Sequence, residues 1–411
     1  MRLRAYISNN DWVYNSLAIL AFLIPVNKRI VPPVIGLVVL YSFYRMMVRP
    51  RPQVKKGGLA LMSMIGIYAL LLITLPFALD ASEASMELEI KASYFVFPLL
   101  FFILPNTSSS SLKRLYDAFQ AGCLMFLLIS IGYGVYRSLV FDNIGYLAYQ
   151  KLGWIFHPSY MAMYQCMALV WYVRRGVDQD YWFGKKWVHW TLAAVTVFYI
   201  AMLASRAGIL SAILVLALVV WHERKNMLRL KSTAVAAFAL VSILAGASVV
   251  LPRTSQRVTK LASDVTSTAD TAASKPKSKS STELRKVTWG VALDIIKEYP
   301  FGVGVGNTAG AMTARYEAMG EKEAAEKRLP AHNQFLQTAA ELGLLGLGLL
   351  LFILGTLTWM IVRKKEIVAL SFCALVWFNF TFESCLEAQA GIVWFSFWAC
   401  VFLTQKAEPA Q

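Results

Sequence analysis

Long apolar runs, each close to 20 residues and parted by short polar turns, fill most of the chain. Crossing a bilayer as a helix takes ~20 mostly apolar residues. Lipid offers an open backbone no hydrogen-bond partner, so runs of this length must form helices or closed barrels. The runs are continuous and do not alternate, which excludes a barrel. The pattern predicts an all-α polytopic protein with about 12 transmembrane helices, at roughly 12–27, 30–46, 59–79, 88–105, 115–136, 157–174, 188–205, 207–222, 232–251, 338–362, 366–382 and 388–404. Pro32 and Pro33 open the second run, where a first helical turn tolerates proline. Three regions follow: 1–251 with nine spans, a large polar loop over 252–337, and 338–411 with three spans and a tail.

The loop changes character along its length. Residues 263–281 are rich in Ser, Thr, Ala and Lys and predict a flexible insert. Ser280, Ser281, Thr282 and Glu283 then have the spacing of a capping box, with Ser280 as N-cap. Leu284, Val287, Val291 and Ile295 follow at helical spacing, and the helix is expected to end near Tyr299 and Pro300. Gly302, Gly304 and Gly306 come next, then a second expected helix over 308–328. Pro330 suits the opening of the tenth span, which places His332 in or just before its first turn.

Charge orients this arrangement. Putting the N-terminus in the cytoplasm leaves only Lys28, Arg29, Lys91, Arg137, Lys151 and Arg206 in the short outer segments, while Asp80, Glu83, Glu87, Glu89, Glu383 and Glu387 gather outside. Positive residues favour cytoplasmic loops, and long loops do not count because they translocate regardless of charge. Both termini are therefore expected in the cytoplasm, with the large loop on the far side. The net charge of +16 has the same cause. The basic residues are spread through inter-helix turns and form no polar domain, so nucleic acid is not expected as a partner, and membrane lipids are. A charged fraction of 16% and a mean hydropathy of +0.53 agree, since a soluble chain carries about a quarter charged residues. Of the five cysteines, four lie in apolar runs and Cys385 in a short loop, with no C-x-x-C, which reads as buried thiols. No cleavage site follows the first run, which is read as a retained helix.

Few polar residues stand where chemistry could use them. Arg206 sits between two apolar runs with almost no loop, on the outer side. A guanidinium there either snorkels to headgroups or serves a site, the default reading of a cation at membrane depth. Arg285 lies in the first turns of the loop helix, where the dipole would repel it unless an anion joined them; a solvated surface arginine is the plainer alternative. His332 joins the soluble loop to a membrane helix. A helix N-terminus and nearby arginines favour uncharged imidazole, the form a general base needs; a residue that merely caps the helix is the other reading. His157 precedes Pro158 at an outer helix end, and His189 and His222 read as interfacial residues near cytoplasmic ends. Glu383, at the outer end of the eleventh span, could orient His332 or a sugar hydroxyl, or be an ordinary interfacial acid. Two acidic pairs have metal-ligand potential. Asp178-Gln179-Asp180 has the spacing of a D-x-D motif but falls in a cytoplasmic loop. Glu87 and Glu89 could hold Mg²⁺ or Mn²⁺, yet Glu87 and Lys91 are four apart on a helix and an ion pair explains them. The three glycines could approach a phosphate through bare backbone, although such a cluster more often marks a helix stop and a turn.

Taken in order, Ala204-Ser205-Arg206-Ala207-Gly208, Glu283-Leu284-Arg285, Tyr299-Pro300-Phe301-Gly302-Val303-Gly304 and Ala331-His332-Asn333-Gln334-Phe335-Leu336-Gln337 resemble the O-antigen ligase and polymerase superfamily, most strongly over about 200–350. His157-Pro158-Ser159-Tyr160 is similar to another recurring feature of that family. The resemblance implies a glycosyltransferase of the Gram-negative inner membrane, acting on the periplasmic face. Its donor would be a glycan on undecaprenyl pyrophosphate. Within the family the chain looks more like the ligase, whose acceptor is lipid A–core, than the polymerase, which often has a second substantial outer loop. A transporter or flippase is the reading from another class, but no internal repeat is visible. By this resemblance Arg206 and Arg285 would grip the pyrophosphate, His332 would be the base, and Asn333 and Glu383 would touch substrate. No cofactor and no metal is expected, and the anomeric carbon would invert.

Overall fold

A computed structural model describes residues 11–48, 57–178, 186–227 and 281–406. Among these residues the chain is helical, without strands; an isolated bridge pairs Thr107 with Gln405. The expected ninth span, the 263–281 insert, the Ser280 cap and most of the Asp178–Asp180 loop lie outside the described residues. Helices stand at the other eleven expected places. Four described helical stretches, Gly58–Phe77, Ser109–Val140, Arg206–Glu223 and Gln334–Lys364, are long and apolar enough to cross a membrane.

The chain divides into two compact units, Met1–Gly122 with Ser280–Gln411, and Cys123–Lys279. The first unit opens with α1 (Asp11–Leu23), α2 (Val31–Val48) and α3 (Gly58–Thr74). The expected helix at 88–105 is two helices, α4 (Ala81–Lys91) and α5 (Ser93–Ile103). Asp80 explains the early start: its carboxylate accepts from the backbone N–H of Ser82 and Glu83, an N-cap that hydropathy cannot reveal. Next, α6 (Ser109–Val140) runs from the first unit into the second. The second unit continues with α7 (Tyr149–Gly153), α8 (Pro158–Asp178), α9 (Lys186–Met202) and α10 (Arg206–Met227). The remaining helices return to the first unit: α11 (Ser281–Glu298), α12 (Thr308–Ala318), α13 (Lys322–Glu326), α14 (Gln334–Lys364), α15 (Ile367–Phe382) and α16 (Gln389–Leu403).

The loop helices build a small core of their own. Val291 and Ile295 of α11 are buried with Met312, Tyr316, Ala324, Ala331 and Ala340, and Val287 packs against them. The Tyr316 hydroxyl donates to the Leu329 carbonyl at 3.0 Å, and burial raises its pKa, so it remains a donor. The single helix expected over 308–328 is divided, because Gly320 takes φ +72° and ends α12. Among the apolar helices, Phe97 and Phe101 of α5 meet Phe397 of α16 edge to face, and Trp398 stacks on Tyr116.

One joint fixes the loop to the longest apolar helix of this unit. Gly343 interrupts α14 with φ 68° and ψ −168°, a conformation that only glycine adopts readily. The break frees the carbonyls of Ala340 and Glu341. Val303 N–H and Gly304 N–H donate to them at 2.9 Å each, and Leu344 N–H donates to the Pro300 carbonyl at 3.0 Å. A Cβ on Gly343 would lie 2.4 Å from the Phe301 carbonyl carbon. Gly343→Ala is therefore expected to cost about 3 kcal/mol or more, seen as a melting temperature lowered by several degrees in detergent. Gly348→Ala, where an added Cβ meets nothing within 4 Å, should leave it unchanged or slightly higher.

Candidate functional site

Four expected residues of the first unit, Arg285, His332, Asn333 and Glu383, gather at the N-terminal end of α14. Asn333 caps this helix: its Oδ1 accepts from Leu336 N–H at 3.1 Å. His332 therefore stands one residue ahead of the cap, not in the first turn, with φ +48°. The backbone on either side is held. Thr288 Oγ1 donates to the Ala331 carbonyl at 3.2 Å, Ala331 N–H donates to Gln337 Oε1 at 3.0 Å, and Trp289 Nε1 donates to the His332 carbonyl at 3.4 Å. With its main chain so fixed, the ring meets Glu383, and Nδ1 lies 3.3 Å from Oε2.

Arg285 shares that carboxylate, Nη2 lying 3.1 Å from Glu383 Oε1. The arginine side chain is 27% exposed, so the solvated-surface alternative does not hold. The anion expected to offset the helix dipole is the protein's own Glu383. The second amide end of Asn333 is also engaged, Nδ2 donating to the Thr381 carbonyl at 3.1 Å. One Nδ2 hydrogen remains for another acceptor.

The glycines form the joint described above, not a phosphate cradle. Gly302, Val303, Gly304, Val305 and Gly306 all spend their N–H groups inside the protein, on Tyr299, Ala340, Glu341, Thr74 Oγ1 and Glu87 Oε2 respectively. One of these contacts, with the surroundings of Lys91, corrects the reading of the segment that holds Glu87 and Glu89. Glu87 accepts from Gly306 N–H at 2.8 Å, while Glu89 is exposed. Lys91, expected to form a simple ion pair with Glu87, is buried and bonds to Glu341 at 2.6 Å and to Glu387 at 2.8 Å. No group of three or more potential metal ligands occurs among the described residues. Sequence reasoning gave Lys91 only an ion pair with Glu87 and assigned no role to Glu341 or Gln334. A glutamate inside the otherwise apolar α14 was the available signal.

The second unit holds Arg206 at the first position of α10, exposed to solvent. The turn before it is tight, with Ala204 at φ +47°. Ser205 is buried, and its Oγ accepts from Gly208 N–H at 3.2 Å as an N-cap would. The same hydroxyl lies 3.3 Å from Ser159 Oγ, 46 residues away, so the motifs around His157 and Arg206 meet within this unit. Close packing permits it: a Cβ on Gly208 would lie 2.4 Å from Ala162 Cβ. His157 is exposed, with Nδ1 accepting from Ser159 N–H at 3.4 Å. His189 is fully buried and His222 lies 3.6 Å from Glu223, so at His189 the interfacial reading gives way to a packed interior.

No curated protein matches the chain at a significant level. The family model described as O-antigen ligase matches residues 191–351. That stretch contains Arg206, Arg285, His332 and Asn333 and stops short of Glu383. Members of this family are glycosyltransferase-like ligases and polymerases working on lipid-linked substrates in bacterial membranes. By the motifs it carries and the model it matches over 191–351, the chain is similar to the O-antigen ligase/polymerase superfamily.

Proposed function

We propose that the protein is an O-antigen ligase of the Gram-negative inner membrane, moving a glycan from undecaprenyl pyrophosphate to lipid A–core on the periplasmic face. Both termini then lie in the cytoplasm. The observation that carries this reading is the convergence of His332 and Arg285 on the one carboxylate of Glu383, just ahead of a helix built to cross the membrane. A base and a phosphate-binding cation beside each other at the membrane surface suit a donor whose diphosphate sits at headgroup level.

Each residue has a step. With its proton on Nδ1, His332 donates to Glu383 and presents the Nε2 lone pair outward. Nε2 takes the proton of the acceptor hydroxyl as that oxygen bonds to the anomeric carbon. The bond from that carbon to the pyrophosphate oxygen breaks, and the electron pair leaves with the pyrophosphate. One displacement inverts the carbon. Arg285 gives one Nη2 hydrogen to Glu383, and its planar guanidinium is assigned to the departing diphosphate, which it suits as a fork. Arg206 is assigned to phosphate as well, on its own evidence of an exposed guanidinium at a helix start. Asn333 offers its remaining amide hydrogen to a sugar hydroxyl, and Glu383 orients the base. These arginines supply the charge that a divalent ion would otherwise bring.

The test is reconstitution of the purified chain in liposomes with undecaprenyl-pyrophosphate-linked glycan and lipid A–core, with and without EDTA. Glycan joined to core, undiminished by EDTA, is expected. Loss in EDTA, restored by Mg²⁺ or Mn²⁺, would return Glu87 and Glu89 to consideration. The second reading, a polymerase with the same donor, predicts growth of the lipid-linked glycan and no product on core. A deletion strain separates the two as well: bare core with accumulated lipid-linked polymer marks a ligase, and core bearing one repeat marks a polymerase.

A further inference from the structure

Lys91, the last residue of α4, is a buried cation with several carboxylates around it. Its Nζ lies 2.6 Å from Glu341 Oε1 and 2.8 Å from Glu387 Oε2. The lysine and Glu341 side chains are only 4% and 3% exposed. Interior ion pairs cost so much in desolvation that they seldom add net stability over apolar packing. Their better attested use is to specify one arrangement of the chain.

The arrangement specified here is local and identifiable. Glu341 stands on α14, two residues before the break at Gly343. Glu387 closes the short turn Cys385–Glu387, four residues after Glu383. Gln334, two residues after His332, grips the same turn with both ends of its amide: Oε1 accepts from Leu386 N–H at 2.6 Å, and Nε2 donates to Glu387 Oε1 at 3.1 Å. The stretch 383–387 is thus tied to α14 by Gln334 and to α4 by Lys91. Glu383 itself has left α15, with an extended backbone at φ −145°, so the turn that follows it decides where its carboxylate lies. The contact it makes with His332 is 3.3 Å long, and a displacement of about 1 Å would break it.

We propose that Lys91 is a positioning residue: through Glu387, and together with Gln334, it holds the 383–387 stretch so that one carboxylate meets Arg285 and His332 at once. The catalytic consequence rests on the proposed role of His332 as the base. Misplacement of a reacting group by about 1 Å can cost on the order of 100-fold in rate.

Lys91→Met/Glu341→Leu removes the cation and its most buried partner together, leaving similar apolar volume. In hydrogen exchange on the full chain in detergent, the Leu386 amide is expected to exchange at least about tenfold faster, with α16 unchanged. In the reconstituted transfer, kcat is expected to fall by about 10- to 100-fold, with the donor KM within about twofold of wild type. The same pair of changes made in Glu383→Gln should lower kcat no further, because the path through Glu383 is already lost. Unchanged exchange at Leu386 overturns the proposal. So does faster exchange with wild-type kcat, or an equal loss of kcat in the Glu383→Gln background. If the double variant does not fold, Glu387→Gln, which keeps the shape and drops the charge, makes the same comparisons. A wild-type chain that transfers no glycan overturns the reaction assigned above and the catalytic consequence with it. The exchange comparison then still decides whether Lys91 holds the stretch.

Discussion

Replacing His332 with alanine is expected to lower turnover by about 10²–10⁴, the usual worth of positioned general acid–base catalysis, while the lipid-linked donor still binds. The expectation has a structural basis beyond the motif. The His332 main chain is fixed by Thr288, Trp289 and the Asn333 cap, so the substitution removes the ring and little else. Glu383 would keep Arg285 as partner, which spares the variant a stranded charge. Turnover and donor affinity should therefore separate: kcat falls and the donor Kd, measured by tryptophan quenching or competition, stays within a few-fold. Abundant, correctly inserted His332→Ala protein with wild-type transfer would end the assignment of a base at this position.

The second large effect is expected at the arginines. Arg285→Lys preserves a cation beside Glu383 but replaces a planar fork with a point charge. Loss of a donor aimed at charge that develops in the transition state typically costs about 10²–10³ in rate, and a fall of that order in kcat/KM is expected. Reduced turnover with normal folding fits a grip on the diphosphate; full activity would reduce Arg285 to the structural partner of Glu383. At Arg206 the same exchange tests a different alternative. An arginine that only snorkels to headgroups tolerates lysine, whereas one that binds phosphate does not. Because Arg206 is exposed and Ser205 makes the cap, Arg206→Lys should leave stability untouched, so any loss of transfer reports on chemistry.

Much of this molecule is written in its apolar periodicity. Runs such as 338–362 and 366–382 could be nothing but helices in a bilayer-sized pattern, and helices stand there. The motifs around Arg206 and His332 were equally legible, because each sets a rare polar residue at the edge of an apolar run. What escaped was polar or distant. The amphipathic α4 begins seven residues before the expected boundary, at an Asp80 cap that carries no hydropathy signal. The break at Gly343 looked like ordinary helix interior, since its cause lies some 40 residues upstream, where the backbone of 300–304 takes up the freed groups. Glu383 was visible as an acid at a helix end, but its sharing between Arg285 and His332 depends on how α11, α14 and α15 pack. Lys91 was assigned the acid one helical turn away, Glu87; burial gave it Glu341, 250 positions away.

The seam between the glycine-bearing turn and the broken helix is made wholly of main-chain groups. Val303 and Gly304 donate, Ala340 and Glu341 accept, and Leu344 returns a bond to Pro300. Such a fastening reads no side-chain identity apart from the glycines that let the strands of chain approach. Loops of different sequence and glycan preference could therefore be grafted onto this scaffold by evolution or by design, each seating in the same register and each delivering its own surface beside an unchanged histidine.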